Sequence, residues 1–184
     1  MNEPDGTTEE ERPVGSPDPG MLWRGRDLDD PDEIAELVRR FYADVAQDDL
    51  LGPMFNEVAQ VDWSEHLPKL TAFWCRALLS MPGYEGNPYR AHQLVDAKRP
   101  FTRAHFERWL DLFHETLDMG WEGPKVDQAK ALGRKVAYVH SKQIVGDPVI
   151  YGDAADLVEP AGASEPMEPA PPEPVTVRST TIRP

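Results

Sequence analysis

Proline and glycine cut the middle of this chain into short segments, and each segment with a hydrophobic pattern carries it at helical period. Asp30-Pro31-Asp32-Glu33 opens the first. Asp30 is placed to cap, proline suits the first helical position, and the carboxylates face the positive end of the helix dipole. Ile34, Leu37, Val38, Phe41, Tyr42 and Val45 then fall on one stripe through about three turns. Gly52-Pro53 stops that run and leaves Met54-Phe55-Asn56 as a short apolar turn, before Asp62 and Ser64 offer a second start. The next stripe is Trp63, His66, Leu67, Leu70, Phe73, Trp74, Ala77 and Leu78, reaching to about Ser80. Pro68 would remove a hydrogen bond from the interior of that helix, so the helix either starts close to Ser64 or kinks and aims His66 inward.

Further on, Gly86-Asn87-Pro88 can bend the chain sharply into a short helical piece near Tyr89 that carries His92 and that Pro100 ends. Phe106, Trp109, Leu110, Phe113 and Leu117 follow at the spacing of one helix face. Gly123-Pro124 opens a last helix with Val126, Ala129, Leu132, Val136 and Val139 expected inward, closed by Gly146 and Pro148. The chain has no sustained period-2 alternation and no internal repeat. It reads as all-α, with about five helices from Asp30 to Val145.

The formal charge of −14 is carried mostly by the ends. Residues 1–33 hold eleven acidic and three basic side chains, residues 151–184 hold six and two, and residues 34–150 hold sixteen and fourteen. The low isoelectric point therefore describes the ends, and no Lys/Arg stripe offers a face for nucleic acid. The composition predicts a disordered acidic leader over residues 1–25, a folded domain over 26–150 and a Pro-rich, acidic, disordered tail over 151–184. Within the leader, Met21-Leu22-Trp23 is a small apolar patch able to dock on the first helix.

The opening MNEPDGTTEEERPVGSPDPG resembles neither a secretory signal nor a transit peptide, and LTAFWCRALL, broken by Arg76, falls short of the roughly 20 apolar residues that span a bilayer. A soluble, cytoplasmic monomer is expected. The single cysteine, Cys75, stands beside Trp74 and reads as a small core residue in a reducing compartment.

Tyr42, His66, Trp109 and the isolated His92 are directed by their helix faces toward one interior. Aromatic faces around two histidines suit a large flat apolar ligand with a metal at its centre, and a haem held by one histidine keeps its other face open to a small molecule. H-E-x-x-H, C-x-x-C and paired E-x-x-H motifs are absent, and so is the C-x-x-C-H of covalent haem attachment. On these residues alone two readings stand for each position: His92 is an iron ligand or a hydrogen-bonded structural residue, and Tyr42 is a pocket donor or a core aromatic bonded to a carbonyl.

Four strings resemble the truncated haemoglobins, and within them the third group: FYADVAQDDLLGPMF (Phe41–Phe55), HLPKLTAFW (His66–Trp74), YEGNPYRAHQL (Tyr84–Leu94) and HFERWLDLFHETL (His105–Leu117). The resemblance covers nearly all of residues 32–145, includes Pro68, and lacks the Gly-Gly pairs typical of other groups. It implies a shortened globin in which two pairs of antiparallel helices sandwich a non-covalent haem b. It further implies His92 as the proximal iron ligand, Tyr42, His66 and Trp109 as distal-pocket residues, and Phe41, Phe55, Phe73 and Trp74 as apolar walls. His105, His114 and His140 are left as ordinary histidines. The implied activity is binding of dioxygen or another diatomic ligand, for transport or sensing. The alternative is an enzyme that removes nitric oxide or peroxide with an external reductase; a third reading has the tail recruiting a partner while the globin part senses.

Overall fold

The computed structural model describes residues 25–151, and every regular element among them is helical. In chain order these are α1 (Pro31–Gln47), a π-helix (Met54–Ala59), α2 (Trp63–Leu79), α3 (Pro88–Asp96), α4 (Arg103–Gly120) and α5 (Pro124–Ile144). The expected starts are the real ones. Asp30 accepts from the Asp32 amide at 2.8 Å, Asp62 from Ser64 at 2.9 Å and Asn87 from Arg90 at 2.9 Å, and prolines open α1, α3 and α5. His105 is part of such a start: its Nδ1 accepts from the Thr102 amide at 3.0 Å.

α1 packs against α2 and α4, and α4 packs against α5, which is the two-over-two sandwich expected from the sequence. The centre of the main core is Phe113. Trp74 stacks on it at 4.7 Å and Trp109 at 5.4 Å, while Phe41 meets it edge-on at 5.2 Å. α5 can approach because Gly133 lies under that ring; a Cβ there would sit 2.9 Å from Phe113.

The segment before α1 straps the bundle. Both Asp27 carboxylate oxygens accept amides of the first turn of α5, from Lys125 and Val126 at 3.0 Å each, and Leu28 is fully buried. Gly123 makes this cap possible, since it holds φ at +138° and a Cβ there would stand 2.6 Å from the Asp27 carboxyl carbon. Buried Glu33 accepts the Trp121 indole N–H at 2.9 Å and pairs with Arg26. At the other end Val149 is buried and donates its amide to Ser141 Oγ at 2.8 Å. The rest of the expected leader and tail, including Met21-Leu22-Trp23, lies outside the described residues.

The structure corrects three expectations. Met54-Phe55-Asn56 is no simple turn; it begins a six-residue π-helix ended by Gln60 in the left-handed region, φ 52°. Ala77 is exposed, and Cys75 takes its place beside Trp74 and Leu78 in the core. On α5 the buried face is Val126, Ala129, Gly133, Ala137, His140 and Ser141, whereas Leu132, Val136 and Val139 are only half-buried. The reason is steric: in its middle the helix turns Gly133 and Ala137 to the bulky rings of α4 and leaves Val136 and Val139 on the flanks. α2 starts at Trp63, close to the expected place, so Pro68 falls in its second turn, where it has no N–H to donate to the Ser64 carbonyl.

Candidate functional site

Tyr42 is the hub of one aromatic group. It is buried on α1, with Phe55 of the π-helix at 6.0 Å, Trp63 at 6.0 Å and His66 at 6.1 Å from its ring, and Phe41 beside it at 4.6 Å. Burial pushes its hydroxyl up to about 12, partly opposed by the Trp109 indole N–H directed toward it, so it stays protonated at any ordinary pH. His66 is half-buried, and burial, then Lys69, then His92 lower its pKa. Both side chains are therefore neutral polar groups on an apolar wall. An open cleft of about 350 Å³ between α1 and α2 reaches Tyr42, Trp63 and Leu67 from outside.

His92 belongs to a second group. Its ring lies among Phe101 at 5.8 Å, Phe106 at 6.2 Å and His140 at 4.7 Å. Its Nδ1 meets the Pro88 carbonyl at 2.6 Å, one turn back on α3. A carbonyl only accepts, so Nδ1 carries the proton and Nε2 keeps its lone pair. Burial lowers the pKa of this ring and outweighs that bond, which favours the neutral form. Trp109 joins the two groups, packing against both the main core and the layer of Phe106, Leu110 and Ala137.

A neutral imidazole with its second nitrogen already bonded is the donor that a haem iron takes on one side. The face of α2 formed by Trp63, His66, Leu67, Leu70 and Phe73, all half-buried, supplies the large apolar surface a flat macrocycle needs. The residues present fit the group.

No family model matches the chain. The group 3 truncated hemoglobin ctb of Campylobacter jejuni subsp. jejuni serotype O:2 is 38% identical over 91 residues, which cover 48% of this chain and 69% of that protein. This chain belongs to the group III truncated haemoglobins. The crystal structure of a group III truncated hemoglobin from Campylobacter jejuni superposes with a TM-score of 0.58 at 29% identity, over 65% of this chain and 94% of the other. A group III truncated haemoglobin is a globin-type haem protein, and the two ring groups flanking Trp109 are its candidate haem environment.

Of the eight residues singled out from the sequence, Tyr42, Phe55, His66 and Trp109 come together on one side with Phe41 behind them. Phe73 lies at another edge, 5.3 Å from both Trp74 and Tyr84, while Trp74 itself is buried against Phe113. His92 lies opposite, within the electrostatic reach of His66. Sequence reasoning passed over Trp63, Phe101 and His140 as members of these groups, and Tyr84 as the neighbour of Phe73. Trp63 was on the right stripe. Tyr84 and Phe101 lie in irregular segments where no periodicity aims a side chain, and His140 was hidden by the misplaced face of α5.

Proposed function

We propose that this protein holds one non-covalent haem b through His92 and binds dioxygen or a related diatomic ligand beside Tyr42, His66 and Trp109, for transport or sensing. When bound, the haem supplies an iron with one open face for a small molecule. The remaining roles fall to the chain. His92 offers Nε2 while Pro88 holds its other nitrogen, and that hydrogen bond carries the reading, because it fixes the tautomer a ligand needs. Tyr42 and Trp109 provide O–H and N–H donors for a ligand that draws partial negative charge, and His66 tunes the same wall. Phe55 and Phe73 line the pocket, with Phe41 and Trp74 backing them from the core.

The same donors would polarise an O–O bond, so removal of nitric oxide or peroxide with an external reductase is the second reading. Nitric oxide consumption by oxygenated protein in the presence of a chemical reductant separates the two. Sustained turnover selects the enzyme, and a single stoichiometric burst selects the binder. We further assign the domain to residues 26–150, bounded near buried Leu28 and Val149, and expect it to act as a cytoplasmic monomer.

A further inference from the structure

His140 has no part in the reading above, yet it is 8% exposed and its Nδ1 has no hydrogen-bond partner among the described residues. Its ring lies 4.7 Å from that of His92, tilted by 32°. α3, which carries His92, buries none of its own residues. The ring of His92 is thus not fixed by the packing of its own helix, and its bond to Pro88 lies within α3 and moves with it. Every other ring around His92 belongs to the chain after α3, and His140 is the nearest of them. Phe101 and Phe106, the other two rings on His92, lie 5.4 Å apart in the layer that holds Leu110, Ala137 and Val149. His140 therefore meets, from the buried face of α5, a side chain on a helix that buries none of its own residues.

The residue type is informative. A buried nitrogen without a partner is unfavourable, so an apolar side chain of similar volume would stabilise the layer more. An imidazole offers in exchange a thin flat ring able to lie close to another imidazole.

We propose that His140 is a positioning residue for His92: by ring packing it fixes the orientation in which His92 presents Nε2, and it ties α3 to α5. Only the haem-loaded half of its test depends on His92 being the iron ligand. The full chain is compared with H140A and H140F. In haem-free protein the His92 Nδ1 proton, bonded to Pro88, is expected as a resolved nitrogen-edited NMR resonance in the parent and in H140F, and broadened by water exchange in H140A. In haem-loaded protein, transfer of haem to excess apomyoglobin should be about tenfold faster for H140A, with a shifted iron–histidine stretching band, and close to the parent for H140F. If H140A does not fold, H140L, which keeps volume without a flat ring, replaces it with the same expectations. Retention of the proton and of the parental haem-loss rate in H140A or H140L overturns the proposal, and so does H140F behaving like H140A. A parent that takes up no haem sinks the proposed function instead, and the haem-free measurement still decides the role of His140.

Discussion

The rings of Tyr42 and His66 stand edge to face, 6.1 Å apart and 89° between planes, and burial removes charge from both. It keeps the phenol protonated and the imidazole neutral, so this wall offers fixed hydrogen-bond donors and no ions.

Tyr42→Phe should therefore act on ligand release. A hydrogen bond to a partly charged acceptor is worth about 1.5–3 kcal/mol, which corresponds to roughly tenfold to hundredfold faster dioxygen dissociation. His66→Leu should do less. Carbon monoxide, which draws little negative charge, is the internal control, and stopped-flow mixing with flash photolysis measures both gases. Dioxygen release within about twofold of the parent in both Tyr42→Phe and Trp109→Phe would reduce the two residues to core aromatics.

His92→Ala should abolish or greatly weaken haem binding while leaving the helical circular dichroism of the haem-free chain nearly unchanged, because α3 contributes no buried residue. A Soret band of parental position and intensity in the mutant would remove His92 from the ligand role.

Asp48 gives the fold a pH signature. Burial raises its pKa, but the amides of Leu51 and Leu50 and the Arg108 guanidinium, whose Nε lies 2.7 Å away, outweigh burial and leave it below 3.8. A depressed carboxylate stabilises fully above its unfolded value and loses that contribution as pH falls through the folded one. Asp48→Asn should thus lower stability by about 1–2 kcal/mol between pH 5 and 7, with the gap closing below about pH 4. Urea midpoints of the two proteins across that range measure it; a gap that widens on acidification contradicts the assignment.

Gly123→Ala should destabilise by at least about 1–3 kcal/mol, since alanine disfavours φ of +138° and its Cβ would press on Asp27. Combining it with Asp27→Ala relieves the contact and leaves the backbone strain, so thermal unfolding of the double mutant should show less than additive loss. Full additivity would mean that the two residues are not coupled as described.

The ends of the domain can be tested by length. Truncation to residues 25–151 should leave haem content and thermal midpoint near the parent's, whereas starting at residue 30 removes Leu28 and the Asp27 cap and should lose about 2 kcal/mol or more. Equal behaviour of the two truncations would show that the strap is dispensable.

How far the sequence was readable follows side-chain size. On α1 the large apolar residues Ile34, Leu37, Val38, Phe41, Tyr42 and Val45 are all buried as their spacing predicts, because bulk and burial coincide there. On α5 they do not. Gly133 and Ala137 are buried for their smallness, and a pattern weighted by hydrophobicity turns the helix toward Val136 and Val139. The π-helix after Gly52-Pro53 has no periodic signature in six residues. For the site, helix faces were enough to aim Tyr42, His66 and Trp109, and the break at Asn87-Pro88 was enough to isolate His92. The contact of His92 with His140 joins residues far apart in the chain and depends on how α3 lies on α5, which no local pattern encodes.

The absence of buried residues from α3 bears on how the chain would be loaded. An element that contributes so little to the core opens at small free-energy cost while the rest of the bundle stays closed. Under the proposed function, the four longer helices complete their packing before the cofactor arrives, and α3, with the proposed ligand His92, settles last. Haem capture would then resemble fastening a clasp on a finished shell more than nucleating a fold, with amide exchange fastest in residues 88–96 until it closes.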